Sequence, residues 1–107
     1  MTIENNGYNG WPNYATWRVN LEVFDGMTPA DMNCDPEGDD RDEDAYKLQE
    51  ALKEHAEYFI CESSEPGLAR DYALAFIADV EWYAIAYHMI DAWAEENHGA
   101  YMQDFDA

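Results

Sequence analysis

Basic residues are scarce in this chain: two Lys and three Arg stand against 24 Asp and Glu, a formal net charge of -19. A field of that sign repels phosphate backbones and anionic bilayers alike, which excludes direct binding of DNA, RNA or an acidic membrane surface. Cysteine is almost absent too. Cys34 and Cys61 sit in dissimilar surroundings, make no disulfide framework, and suit a reducing cytoplasm. No apolar run approaches the ~20 residues of a membrane span. The opening Met-Thr-Ile-Glu-Asn-Asn-Gly has neither the positive start nor the apolar stretch of a signal peptide. A cytoplasmic location is therefore expected.

The signatures of catalysis and metal binding are also missing. His55, His88 and His98 show no H-x-x-x-H spacing and the cysteines no C-x-x-C, so neither zinc nor any other cofactor is expected. Asn33, Asp35, Glu37 and Gly38 mimic positions 1, 3, 5 and 6 of a calcium loop, with Asp44 at position 12. The match then breaks down, because position 1 is Asn, Asp40 and Arg41 intrude, and the bidentate Glu is lacking. Cys61 and His55 read as ordinary structural residues rather than a nucleophile and its base. The chain is expected not to be an enzyme.

What the sequence has in abundance is apolar surface, 48% of residues with four Trp, eight Tyr and four Phe, too much for a disordered acidic chain. Its 107 residues fit one domain, 1–107, around one core. Gly10-Trp11-Pro12-Asn13 reads as a turn ending in a helix N-cap, and Tyr14, Trp17, Leu21 and Phe24 then share one face of a helix ending near Gly26. Residues 26–44 lose that period and read as a mobile acidic loop. A second helix over roughly 42–61 carries Ala45, Leu48, Leu52, Ala56, Phe59 and Ile60 at helical spacing.

After the Ser63–Gly67 break, Leu68, Ala69, Tyr72, Ala73, Phe76, Ile77 and Val80 predict a strongly buried third helix. Trp82, Ala86, Met89, Ile90 and Trp93 predict a fourth, capped by Asp79 or continuous with the third. Gly99 would end it, leaving 98–107 as a tail whose Tyr101, Met102 and Phe105 could dock on the body. No internal repeat is visible. The expected fold is all-α, a compact bundle of about four helices with a long acidic loop between the first two. So many aromatics fit a dimer face as readily as a monomer core.

The acidic run concentrates the charge. Residues 35–44 hold Asp35, Glu37, Asp39, Asp40, Asp42, Glu43 and Asp44 against Arg41 alone. Further along, Glu43, Glu50, Glu54 and Glu57 fall on one stripe of the second helix, only partly relieved by Lys47 and Lys53. Neighbouring carboxylates on such a stripe lie roughly 5–6 Å apart, the scale of phosphate spacing along a strand. Solubility alone does not require so many acids on a chain with an ample core, although adaptation to a salt-rich cytoplasm is a rival explanation. The expected role is partner binding by Asp35, Glu37, Asp39, Asp40, Asp42, Glu43, Asp44, Glu50, Glu54 and Glu57, with Tyr46 or Tyr58 adding retention. The alternative is an interaction module using Tyr8, Trp11, Tyr14 and Trp17, although such a cluster more commonly staples a turn to a helix and closes one end of a core.

Two segments carry a resemblance. Gly10-Trp11-Pro12-Asn13-Tyr14-Ala15-Thr16-Trp17-Arg18-Val19 resembles the G-W-x-N-Y-x-T-W-x-V opening of small proteins of phages and other mobile elements. Val80-Glu81-Trp82-Tyr83-Ala84-Ile85-Ala86-Tyr87-His88 is similar to their V-x-W-x-x-I-A-x-H segment, and together the two span about a fifth of the chain. The resemblance implies a mobile-element origin and brings no catalytic residues; the acidic loop is not part of it. By type, small acidic phage proteins look like anti-CRISPR, anti-restriction or DNA-glycosylase inhibitors. The expectation is an anti-defence DNA mimic in the host cytoplasm, whose partner is a host protein with a basic DNA-binding groove, a CRISPR effector first and a restriction enzyme next.

Overall fold

The structure, a computed structural model, describes residues 10–97 and Tyr101. Asn13, in an extended conformation, caps the first helix α1 (Tyr14–Val19) by accepting the Thr16 N–H at 2.9 Å. The chain continues through a π-helical turn, Asn20–Phe24. A π turn closes five residues on instead of four. Phe24 therefore falls beneath Val19 and both are buried, together with Ala15 and Thr16. The expected single face of Tyr14, Trp17, Leu21 and Phe24 is corrected accordingly, since Tyr14 stays 40% and Leu21 47% exposed.

Residues 26–44 are more organised than the expected loop. Thr28 and Asp31 form a capping box, the Asp31 carboxylate accepting the Thr28 N–H at 2.8 Å, and start a 3-10 turn over Pro29–Met32. Pro29 and Met32 are buried, so this turn is a lid on the core rather than a solvated linker.

Asp40 caps the long helix α2 (Arg41–Ser63), accepting from the amides of Asp42 at 3.0 Å and Glu43 at 3.2 Å. Ala45, Leu48, Leu52 and Ala56 recur at three and four residues and are buried as one stripe. It packs on α4 (Trp82–Glu96), whose Ile85, Ala86, Met89 and Ile90 are buried in the same core. Alanines on both sides of that contact let the two backbones approach closely. Phe59 continues the α2 stripe but is 54% exposed near the helix end.

Between them runs α3 (Leu68–Ile77), separated from α4 by 78–81, so the two are not one continuous helix. α3 rests on α1 and α2. The expectation of strong burial is corrected: only Ile77 of this helix is buried, while Leu68 is 67% and Tyr72 68% exposed. The fold is thus an all-α bundle of four helices, with no strand among the described residues. Among those residues no helix is long and apolar enough to cross a membrane. Gly99, Met102 and Phe105 lie outside the described residues.

Candidate partner-binding site

The outer side of α2 follows from its inner side. With Ala45, Leu48, Leu52 and Ala56 fixed against α4, the 3.6-residue period turns Glu43, Glu50 and Glu54 to solvent and leaves Glu57 half-buried at the edge of the same stripe. From Glu43 to Glu57 the stripe runs about 21 Å along the axis. Tyr46 and Tyr58, 63% and 66% exposed, flank it on either side. At its N-terminal end the exposed Asp35, Glu37, Asp39, Asp40 and Asp42 join it, where the helix dipole favours negative charge. Lys47 is the nearby counter-charge, 3.4 Å from Glu37 and 4.0 Å from Glu43. Those two carboxylates, Glu37 foremost, push the ammonium above its ordinary range.

Asp44 leaves this surface, which corrects its place among the partner-binding carboxylates. It is 3% exposed, and its two oxygens accept the Glu37 and Gly38 amides at 3.0 Å each and the Tyr101 hydroxyl. Tyr101 closes the arrangement by donating its own amide to the Gly38 carbonyl at 2.7 Å. Gly38, at φ +85°, adopts a left-handed backbone suited to glycine, and offers its N–H to Asp44 and its C=O to Tyr101. A buried carboxylate is tolerable only when it is hydrogen-bonded in this way. Asp44 is a clasp that ties the acidic segment and Tyr101 to α2, and its oxygens are taken up by that role rather than by an ion. The expected docking of Tyr101 is observed, with the ring 1% exposed.

A second feature lies beside the first turn of α2. Trp11 and Pro12 face α4 across an open cleft of about 630 Å3, also lined by Asp42, Tyr83, Tyr87, His88 and Asp91. Tyr83, Tyr87 and Asp91 follow one another at four-residue intervals, which places them on one line of α4. The rings of Tyr83 and Tyr87 are 5.9 Å apart, and Trp11 lies 5.0 Å from His88. Tyr83 donates to Asp42 at 2.7 Å; burial first, and that hydrogen bond next, push its phenol up to about 12. Arg41 pairs with Asp91, and its guanidinium lies 4.7 Å over the Tyr101 ring. A smaller cleft of about 240 Å3, on the other side of His88, is lined by Phe24, Met27, Pro29, Met89 and Trp93.

No protein-family model, curated protein or solved structure matches this chain.

Among the described residues no three His, Cys, Asp or Glu side chains are grouped to hold a metal ion. Burial, then the charges of Asp44 and Asp35, push the Cys34 thiol above its ordinary value, so it stays protonated and is a weak nucleophile. His55 and Cys61 stand six residues apart on one continuous helix, about 120° around its axis, and His55 instead packs its ring 5.8 Å from Phe24.

The two segments singled out by resemblance meet in space. Asn13 donates to the Asp79 carbonyl at 3.0 Å, and the buried Thr16 hydroxyl donates to Asn13 at 2.8 Å while accepting the Glu81 amide at 2.9 Å. Thr16, rather than the expected Asp79, thus satisfies an amide at the start of α4, where Glu81 makes no side-chain cap. Trp11 and Trp17 are half-buried and Tyr8 lies outside the described residues. Asn13 and Thr16 thus join α1 to α4, with Trp11 against His88, while Tyr14 meets Phe76 of α3.

The cleft was not found from the sequence. The available signal was Tyr83, Tyr87 and Asp91 on one helical line; Trp11 joins them only through the fold.

Proposed function

We propose that the protein is an anti-defence inhibitor of phage or mobile-element origin that occupies the DNA-binding groove of a host nucleic-acid-processing enzyme. A CRISPR effector is the preferred target and a restriction enzyme the next. The observation that carries this reading is the outer face of α2, where Glu43, Glu50 and Glu54 stand exposed in one line that continues into Asp39, Asp40 and Asp42. A rigid helix over a packed core holds these charges at fixed spacing, as a nucleic-acid strand holds its phosphates. Long-range attraction to a basic groove speeds encounter, and Tyr46 and Tyr58, flanking the stripe, supply contacts that outlast screening by salt. Inhibition is competition: the groove cannot hold DNA and this helix at once.

The test is displacement of duplex DNA from the purified effector by the intact protein. Reversal of Asp39, Glu43, Glu50 and Glu54 to Lys, which spares the Asp40 cap and the Asp44 clasp, is expected to abolish displacement with helicity unchanged by circular dichroism. Undiminished displacement by that variant would remove the charge-mimic reading. A second reading, a non-mimic interaction module at the N-terminal aromatics, is favoured by one observation: Tyr14 is 40% exposed and forms an edge contact, 6.2 Å, with the partly exposed Phe76. It requires Tyr14→Ala to weaken partner capture more than the charge reversals do.

A further inference from the structure

We propose that the cleft between Trp11 and α4 is a receptor for an arginine side chain of the partner protein. This rests on the groove-binding reading above and gives it a point of attachment. The lining combines three half-buried aromatic rings, Trp11, Tyr83 and Tyr87, with the carboxylates of Asp42 and Asp91; Lys and Arg are not part of it. Since Arg41 already pairs with Asp91 from outside the lining, Asp42, held by the Tyr83 hydroxyl, is the carboxylate that faces an incoming cation. Aromatic faces attract cations and carboxylates pair with them, whereas the same walls repel phosphate and other anions. His88, the remaining titratable lining group, makes a ring contact with Trp11.

Among cations, guanidinium fits best. It is planar, weakly hydrated and able to stack on a ring while pairing with a carboxylate, where an ammonium must give up a tight water shell. The molecule already satisfies one guanidinium this way, since Arg41 lies over the Tyr101 ring and pairs with Asp91. Asp91 therefore links an internal arginine to the cleft. Asp42 belongs both to the cleft and to the acidic end of α2, so an arginine entering here would be seated as the neighbouring groove wall meets that helix. At about 630 Å3 the cleft has room for the side chain and part of the segment that carries it. Arginines that contact phosphates and base edges are what a DNA-binding groove offers.

The experiment is a two-dimensional NMR titration of the intact protein in mildly alkaline buffer at moderate salt. The probe is N-acetyl-arginine methylamide, with its uncharged citrulline counterpart and tetramethylammonium run alongside. Saturable shifts at the Trp11 indole N–H and the amides around Tyr83, Tyr87 and Asp91 are expected, with the citrulline compound about tenfold weaker or more. Tyr87→Leu should weaken the probe about twofold to thirtyfold while Tyr87→Phe retains it, the range of a cation–π contact.

Shifts spread along the outer face of α2 and indifferent to Tyr87→Leu would overturn the assignment. So would equal binding of the citrulline compound, or tighter binding of tetramethylammonium, which would make the cleft a site for small free cations. The Glu50→Lys/Glu54→Lys protein separates the two ideas. Lost DNA displacement with an intact probe response supports both, absence of probe binding to the parent overturns the cleft alone, and retained displacement by the variant overturns the mimic reading on which the arginine's source depends.

Discussion

α3 and α4 are both rich in Ala, large aliphatic residues and aromatics, yet α4 is the centre of the core and α3 lies on the surface with Leu68, Tyr72 and Phe76 outward. We attribute the difference to a polar side chain. Arg70 sits on the same side of α3 as Leu74 and Ile77, because its guanidinium reaches back to the Cys61 carbonyl at 2.7 Å and to the Ser64 carbonyl. Those carbonyls belong to the end of α2, where a helix has acceptors without intrahelical donors. Satisfying them turns the side that carries Arg70, Leu74 and Ile77 towards the body, and the line through Leu68, Tyr72 and Phe76 faces water. Hydropathy states how much a helix would gain by burial. Which side it buries is decided by the helix ends it must serve.

The comparison can be broken most strongly at α4. Ile90→Ala, at a fully buried position, is expected to cost about 2–5 kcal/mol in urea unfolding. A loss below about 1 kcal/mol would mean that α4 is not the centre of the core. Next comes the first turn of α2. Asp44→Ala leaves the Glu37 and Gly38 amides and the Tyr101 hydroxyl without their acceptor, and about 2–3 kcal/mol should go. Hydrogen exchange would show the two amides opening first.

The other end of α2 tests the cause assigned to α3. Arg70→Ala should cost about 1–2 kcal/mol, with faster exchange confined to the α2–α3 junction. If exchange there is unchanged, the explanation for the orientation of α3 fails. A smaller, pH-dependent effect is expected at Tyr83. Its phenol ionises at about 12 in the folded chain against an ordinary 10.0, so its contribution is complete below the lower value and is lost as the pH rises through the higher. The parent should therefore exceed Tyr83→Phe in stability at neutral pH, and the difference should shrink between those two values. Smallest of all, Tyr72→Ala on the outward line of α3 should change stability by no more than about 0.5 kcal/mol.

Much of this fold was legible in the residues. Asn13 as a cap, the inner stripe of α2 and the buried face of α4 follow from short-range rules of capping and period. Arg70 was not legible because α3 is apolar on two sides, and the pattern alone favours the longer line through Leu68, Tyr72 and Phe76. Phe24 escaped its expected neighbours because nothing in Asn20–Phe24 announces a π turn. At the candidate site, the exposure of Glu50 and Glu54 follows from the helical period. Asp44 looked like its six acidic neighbours in 35–44, since its burial depends on a loop and on Tyr101, 57 positions away.

The π turn also bears on the length of the chain. Five residues separate Val19 from Phe24 where an α-helix needs four to return to the same side, so the path carries one residue in excess. Deleting Leu21 would let the segment close as α-helix with Phe24 still facing inward. The same deletion within α2 would rotate everything after it by about 100° and turn Leu52 and Ala56 away from α4. The chain thus holds a spare position at Asn20–Phe24, where a residue can be lost or regained while the core stays in register.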